Sequence, residues 1–182
     1  MPSHKKLENL PVSVSILSPE VTVESYTHYL GLMHDVVADA EANIFPALNN
    51  LVPDLHARNK RMQLEADLVH SGTAKPDFKK VFCSGNFSEP FALGVLYVIE
   101  GSSLGGRFIL NNISSTLGFD ADNGARYFSG YGNKTGQMWK SFLQTLTDYE
   151  ARAGNSDEII AGADYAFRAI HEHFSLYSRY ED

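Results

Sequence analysis

Residues 93–110 read LGVLYVIEGSSLGGRFIL, an apolar run interrupted by Gly94, Gly101, Gly105 and Gly106. The apolar residues recur at helical rather than alternating spacing, and Leu93, Leu96, Tyr97, Val98, Leu104, Phe108 and Ile109 are all available to a core. The spacing therefore predicts a buried helix. Each interior glycine costs roughly 0.5–1 kcal/mol relative to alanine, so four forfeit on the order of 2–4 kcal/mol. At about 100° per residue, Gly94, Gly101 and Gly105 fall on one stripe, with Ser102 beside it and Gly106 extending it. Two readings of that stripe stand side by side. A second helix comes close to its backbone, or a flat ligand lies across a helix bent or opened at Gly105-Gly106.

Around this helix the 182-residue chain suits one domain, residues 1–182, with a full core; 43% of its residues are hydrophobic. A formal charge of -7 and the lack of a basic stripe with interleaved aromatics argue against a nucleic-acid partner. An anionic ligand would need a local basic patch. The single cysteine, Cys83, reads as a small buried hydrophobe, and no Cys/His zinc spacing is present. The N-terminus, MPSHKKLENL, lacks a signal-peptide core, and no run approaches a membrane span, so the cytoplasm is the expected compartment.

In chain order, Pro11 confines the first helix to a stub on which His4 and Glu8 are spaced to share a face. Ligation of a metal by His4 would require a neutral imidazole whose second nitrogen is held by an acceptor, a role for which Glu8 is placed. A second helix starts at a Thr22 cap and stops before Pro46, with Val23, Tyr26, Leu30, Met33, Val37, Ala40 and Ile44 inward. A third runs from about Asp54 to His70, with Leu51, Leu55, Met62, Ala66 and Val69 inward. Ser88 caps the central helix and Gly118 stops it. Residues 126–132, RYFSGYG, read as a short helix and turn plugging the core.

A helix from about Asn133 to Ala153 places Trp139, Phe142, Leu143, Leu146 and Tyr149 on one face and ends at Gly154. The last begins near Ser156, with Ile159, Ile160, Ala163, Phe167, Ile170, Phe174 and Tyr177 inward. His28 and His34 read as solvated or packing groups, and the trio His171-Glu172-His173 as solvated, because neighbours two apart diverge on a helix. No strand pattern or internal repeat is present, so the fold expected is all-α and multi-helical.

The wording LYVIEGSSLGGRFI resembles the distal helix of heme oxygenases, most closely the bacterial, phytochrome-associated type. HKKLEN, ESYTHYLGLMH and YFSGYGNKTGQMWKSF resemble further family segments in the same order, so the likeness spans nearly the whole chain. It implies the heme oxygenase fold and a heme that is both cofactor and substrate. Dioxygen and electrons, from a ferredoxin or flavodoxin system, would open the ring to biliverdin with release of CO and iron. By position, His4 inherits the iron-ligand role, although only three residues precede it, fewer than the family ordinarily has.

On the opposite side Gly101, Gly105 and Gly106 would let heme and oxygen approach backbone, with Tyr97 on the same helix. Ser102 stands where several animal members carry an aspartate; it can order water but supplies no charge. Its hydroxyl bonding back to its own helix is an equal alternative. Lys140, one step after Trp139, matches by position a basic residue that meets the propionates in the family; Lys134, Lys5 and Lys6 are weaker candidates. A non-catalytic protein of this fold that binds heme or a partner is the alternative. A di-iron helical oxygenase would want Glu-x-x-His pairs that the chain lacks.

Overall fold

The computed structural model describes residues 2–73, 77–82 and 85–177, with only the backbone of residues 2–4; Cys83 lies outside the described residues. The described chain is helical: α1 (Pro2–Glu8), α2 (Pro11–Ser15), α3 (Val23–Asn43), α4 (Arg61–His70), α5 (Glu89–Leu117), α6 (Thr135–Ala153) and α7 (Ser156–Tyr177). Short 3-10 turns at Phe45–Leu48, Leu55–Arg58, Tyr127–Ser129 and Gly132–Lys134 join them.

Local chemistry sets most of the ends. Thr22 caps α3 reciprocally with Ser25, and Ser88 accepts from Phe91 N to start α5. Gly118 and Gly154 close α5 and α6 in the left-handed region, at φ 75° and 66°. The expected Asp54–His70 helix is instead broken. Asn59 is extended, and α4 starts afresh where Glu41 on α3 accepts from Lys60 N at 2.6 Å and Arg61 N at 3.0 Å. A carboxylate from another helix serves as the cap that Lys60's own side chain does not provide.

That device recurs. Asp39 accepts from Val81 N and Phe82 N, Asp35 from Lys79 N, and Asp67 from Arg126 N and Tyr127 N, all at 2.6–2.9 Å. Buried loop N–H groups need acceptors, and these carboxylates supply them with charge assistance. Burial pushes the Glu41 and Asp67 carboxyls above their ordinary pKa, while the N–H bonds pull the other way.

The stub α1 is not a loose end. It packs on α7, with Leu7 and Leu10 against the larger of two hydrophobic cores. That core gathers Leu93, Leu96, Phe142, Phe167 and Phe174; the smaller holds Tyr26, Leu30, Leu64, Ile113 and Phe128. Helices α3 and α5 contribute to both, so the seam between the cores runs along them.

Several apolar positions differ from the sequence expectation. Met62, Val69 and Phe108 are largely exposed, and Val23, Leu104 and Ile160 are about half exposed; on α4 the inward set is Leu64, Asp67 and Leu68. His34 is fully buried, within 3.5 Å of Glu65, as a packing role requires. His173, expected in solvent, is buried with Nε2 3.1 Å from Asp35 Oδ2. One correction concerns membranes: α5 is long and apolar enough by length and composition to span one, yet here it is the core helix against α7.

Candidate active site

A cavity of about 370 Å³ opens on the seam between the two cores. Leu7 of α1 stands on one side. Tyr29, Met33, Val36 and Val37 come from α3, and Phe167, Ile170 and Phe174 from α7. From α5 come Tyr97, Val98, Ile99, Gly101, Ser102, Leu104 and Ile109, and Tyr127, Phe128 and Trp139 complete the enclosure. The lining is mostly carbon, which suits a large flat apolar ligand held by a few polar groups.

The glycines expected to act together divide their work. A Cβ at Gly94 would fall 2.0 Å from Ile159 O and 2.7 Å from Ala163 N, so this glycine serves helix packing against α7. At Gly106 it would fall 2.7 Å from Phe128 O, so this one seats the 127–129 turn. At Gly101 it would meet only Trp139 ring carbons, at 3.8 and 3.9 Å, and at Gly105 nothing within 4 Å. Gly101 lines the cavity, whereas Gly105 lies exposed one turn further on. The helix is not opened at Gly105-Gly106: α5 runs as one helix from Glu89 to Leu117.

Of the other predicted residues, Tyr97 and Ser102 line the cavity, and Tyr97 packs on Trp139 with ring centroids 5.3 Å apart. Ser102 Oγ donates to Ile99 O at 2.7 Å, the backbone bond that was one of its two readings. Lys134, Lys140 and Glu8 are exposed and none of them lines the cavity. His4 belongs to α1, but its side chain lies outside the described residues. Positions 4 and 7 lie three apart on that helix and share a face.

Behind the α5 wall lies a buried charge cluster that apolar periodicity does not reveal. Glu100, next to Gly101 and 1% exposed, accepts from Arg58 Nη1 at 2.5 Å and from Tyr131 Oη at 2.7 Å. Arg58 also binds Asp54 through Nε and Nη2 and donates to Met138 O at 3.1 Å. Lys60 Nζ sits 3.9 Å from Glu100 and 4.1 Å from the centre of the Tyr131 ring. Burial holds the Lys60 ammonium below its ordinary pKa, with Glu100 opposing. Burial and the Glu100 charge both push the Tyr131 phenol far up. The cluster fixes the rotation of α5 at the cavity and, through Met138, the start of α6 that presents Trp139.

Sequence reasoning also passed over Tyr127 and Phe128 as a plug. Their signal was present: aromatics between two glycine breaks are stiff side chains on a tightly turned backbone.

Comparison with known proteins agrees with this architecture. The chain is 28% identical over 165 residues to the heme oxygenase PigA of Pseudomonas aeruginosa, covering 90% of this chain and 81% of that one. Its fold matches the NO- and CO-bound heme oxygenase of Neisseria meningitidis with a TM-score of 0.74 at 22% identity, over 99% of this chain and 94% of that one. It also matches heme oxygenase-1 of Synechocystis in complex with heme, with a TM-score of 0.76 at 16% identity, over 96% and 86% of the two chains. The sequence model of the family described as heme oxygenase matches residues 2–175, and with that span of agreement the chain belongs to the heme oxygenase family.

Proposed function

We propose that the seam cavity is where this heme oxygenase seats its substrate, with His4 as the iron ligand on the α1 side and the bare backbone of Gly101 and Gly105 opposite. The chain is an enzyme that degrades heme to biliverdin, with heme as its ligand. The observation that carries the placement is the combination of an apolar enclosure with a helix face where a Cβ would meet almost nothing. A porphyrin fits such a slot: its rings match the aliphatic and aromatic walls, and its face is flat enough to rest on backbone.

Bound heme supplies the redox chemistry by which dioxygen and electrons open its own ring, releasing CO and iron. The chain's residues do the rest. Leu7 and the α7 side chains exclude water from one face, and Trp139 and Tyr97 close an edge. Ser102 offers lone pairs to water beside Gly101. Lys140, and more weakly Lys134, meet the propionates from the exposed start of α6 and the turn before it. Glu8, one turn beyond His4, holds the second imidazole nitrogen directly or through water. The reading includes iron binding through His4, a ferredoxin or flavodoxin system as electron donor, and a cytoplasmic location, where such donors are available.

The test is a hemin titration of the wild type and His4→Ala, followed by electrons from a ferredoxin reductase system with spectra recorded over time. The expected result is one heme per chain with a histidine-ligated spectrum, its loss in His4→Ala, and conversion to biliverdin by the wild type alone. An unchanged spectrum in His4→Ala overturns the ligand assignment. Stable heme binding without turnover would favour a heme-carrying protein of the same fold.

A further inference from the structure

The space over the two bare glycines of α5 is roofed at one and open at the other. At Gly101 the atoms nearest an added Cβ are two ring carbons of Trp139, at 3.8 and 3.9 Å; one turn further on, at Gly105, nothing lies within 4 Å. The benzo edge of the indole therefore roofs Gly101, and Trp139 lines the cavity. The roof is not a close fit. A methyl at position 101 would lie beneath the ring at ordinary van der Waals distance, so the glycine keeps a thin gap that packing does not require.

A ring that merely leaned into the cavity would swing aside, but this one is braced. It packs on Tyr97 with centroids 5.3 Å apart and on the fully buried Phe142 with centroids 6.0 Å apart. Arg58 couples it to the wall it covers. One guanidinium nitrogen donates to Glu100, the residue before Gly101, and another donates to the carbonyl of Met138, the residue before Trp139. The guanidinium carbon also lies 5.6 Å from the centre of the Phe142 ring on which the indole rests. A single buried side chain thus holds the glycine and the ring above it in register, as a precise steric boundary requires.

We infer that Trp139 is a specificity-determining residue for ring opening: its braced indole closes the space above Gly101 and leaves open to attack the porphyrin edge turned away from it. The inference rests on the seat proposed above. Bare backbone admits a ligand but does not choose among its edges, because it is equally accommodating along the stripe. A flat, stiff side chain at one end supplies the asymmetry, and it does so by exclusion alone, without a charge or a hydrogen bond.

The test compares the wild type with Trp139→Phe and Trp139→Ala. Trp139 is the only tryptophan of the chain, so the emission anisotropy of the heme-free wild type reports this ring directly. The other readouts are hemin affinity, the heme-methyl resonances of the ferric cyanide complex, and the biliverdin isomers separated by chromatography. The expected anisotropy is that of a ring fixed to the protein frame, and the wild type yields predominantly one isomer. The ratio of that isomer to the others falls by about tenfold in Trp139→Ala and by less in Trp139→Phe, as for loss of part of an apolar boundary. The pattern of heme-methyl resonances stays that of the wild type in both variants.

A freely rotating indole, a mixture of isomers from the wild type, or an unchanged isomer ratio in both variants overturns the inference. So does a second set of heme-methyl resonances that grows with the mixture, or loss of hemin binding in both variants, since the indole would then seat heme rather than select an edge. Failure of the wild type itself to bind hemin overturns the seat, which is a separate outcome.

Discussion

The two faces of α5 use the same residue for opposite ends. Toward α7, Gly94 and its counterpart Gly162 lie so close to the facing backbones that an added Cβ would stand 2.0 and 2.1 Å from carbonyl oxygens. Over Gly101, at the cavity, and over the exposed Gly105 one turn further on, the space is left open or nearly so by the chain itself. The first pair lets two helices approach and so serves stability. The second costs helix propensity and gains no packing in return. A glycine with no folding benefit points to a ligand, and the contrast separates architecture from function along one helix.

The comparison is broken most directly at Gly94. Gly94→Ala, or Gly162→Ala, is expected to lower stability by about 3 kcal/mol or more, the upper end for overpacking, because the obstacle is backbone rather than a movable side chain. Denaturant unfolding measures it, and a loss below about 1 kcal/mol would show that the helices shift apart cheaply. On the other face, Gly101→Leu is expected to leave unfolding nearly unchanged while weakening hemin binding by about tenfold, or about 1.4 kcal/mol. A titration with no loss of affinity would remove heme from this wall.

Gly105→Ala sharpens the contrast with a change of sign: thermal unfolding should show stabilisation of about 0.5–1 kcal/mol, since the methyl meets nothing and the helix gains propensity. The smallest effect is expected at the exposed rim. Lys140→Ala should weaken hemin binding by about threefold, more at low salt than at high, with no change in stability. A loss independent of ionic strength would argue against a propionate contact.

Local signals were legible wherever the physics is local. Thr22, Ser88, Gly118 and Gly154 end their helices as their side chains or their lack of one dictate. The central motif was equally legible, since four glycines in an apolar helix demand a reason. The break between Arg58 and Arg61 was not, because the cap that starts α4 is Glu41 on a helix about twenty residues earlier. His173 looked solvated within its own trio; Asp35 makes its burial tolerable, 138 residues away in sequence. Leu104 sat on the expected core helix but emerged half exposed at the cavity, and Phe108 emerged in solvent; apolar spacing cannot tell a core from a ligand's seat or an exposed face.

By itself, then, the sequence determined that the chain is helical, where most helices begin and end, and that one helix keeps a bare stripe. Capping, helical spacing and glycine content act within a few residues, so they can be read in order. Only the tertiary structure decided which glycines face α7 and which face open space, and that Glu100 is locked behind the wall by Arg58 and Tyr131. Those facts depend on the rotation of each helix about its axis, which is set by buried charges and backbone contacts between residues far apart in the chain.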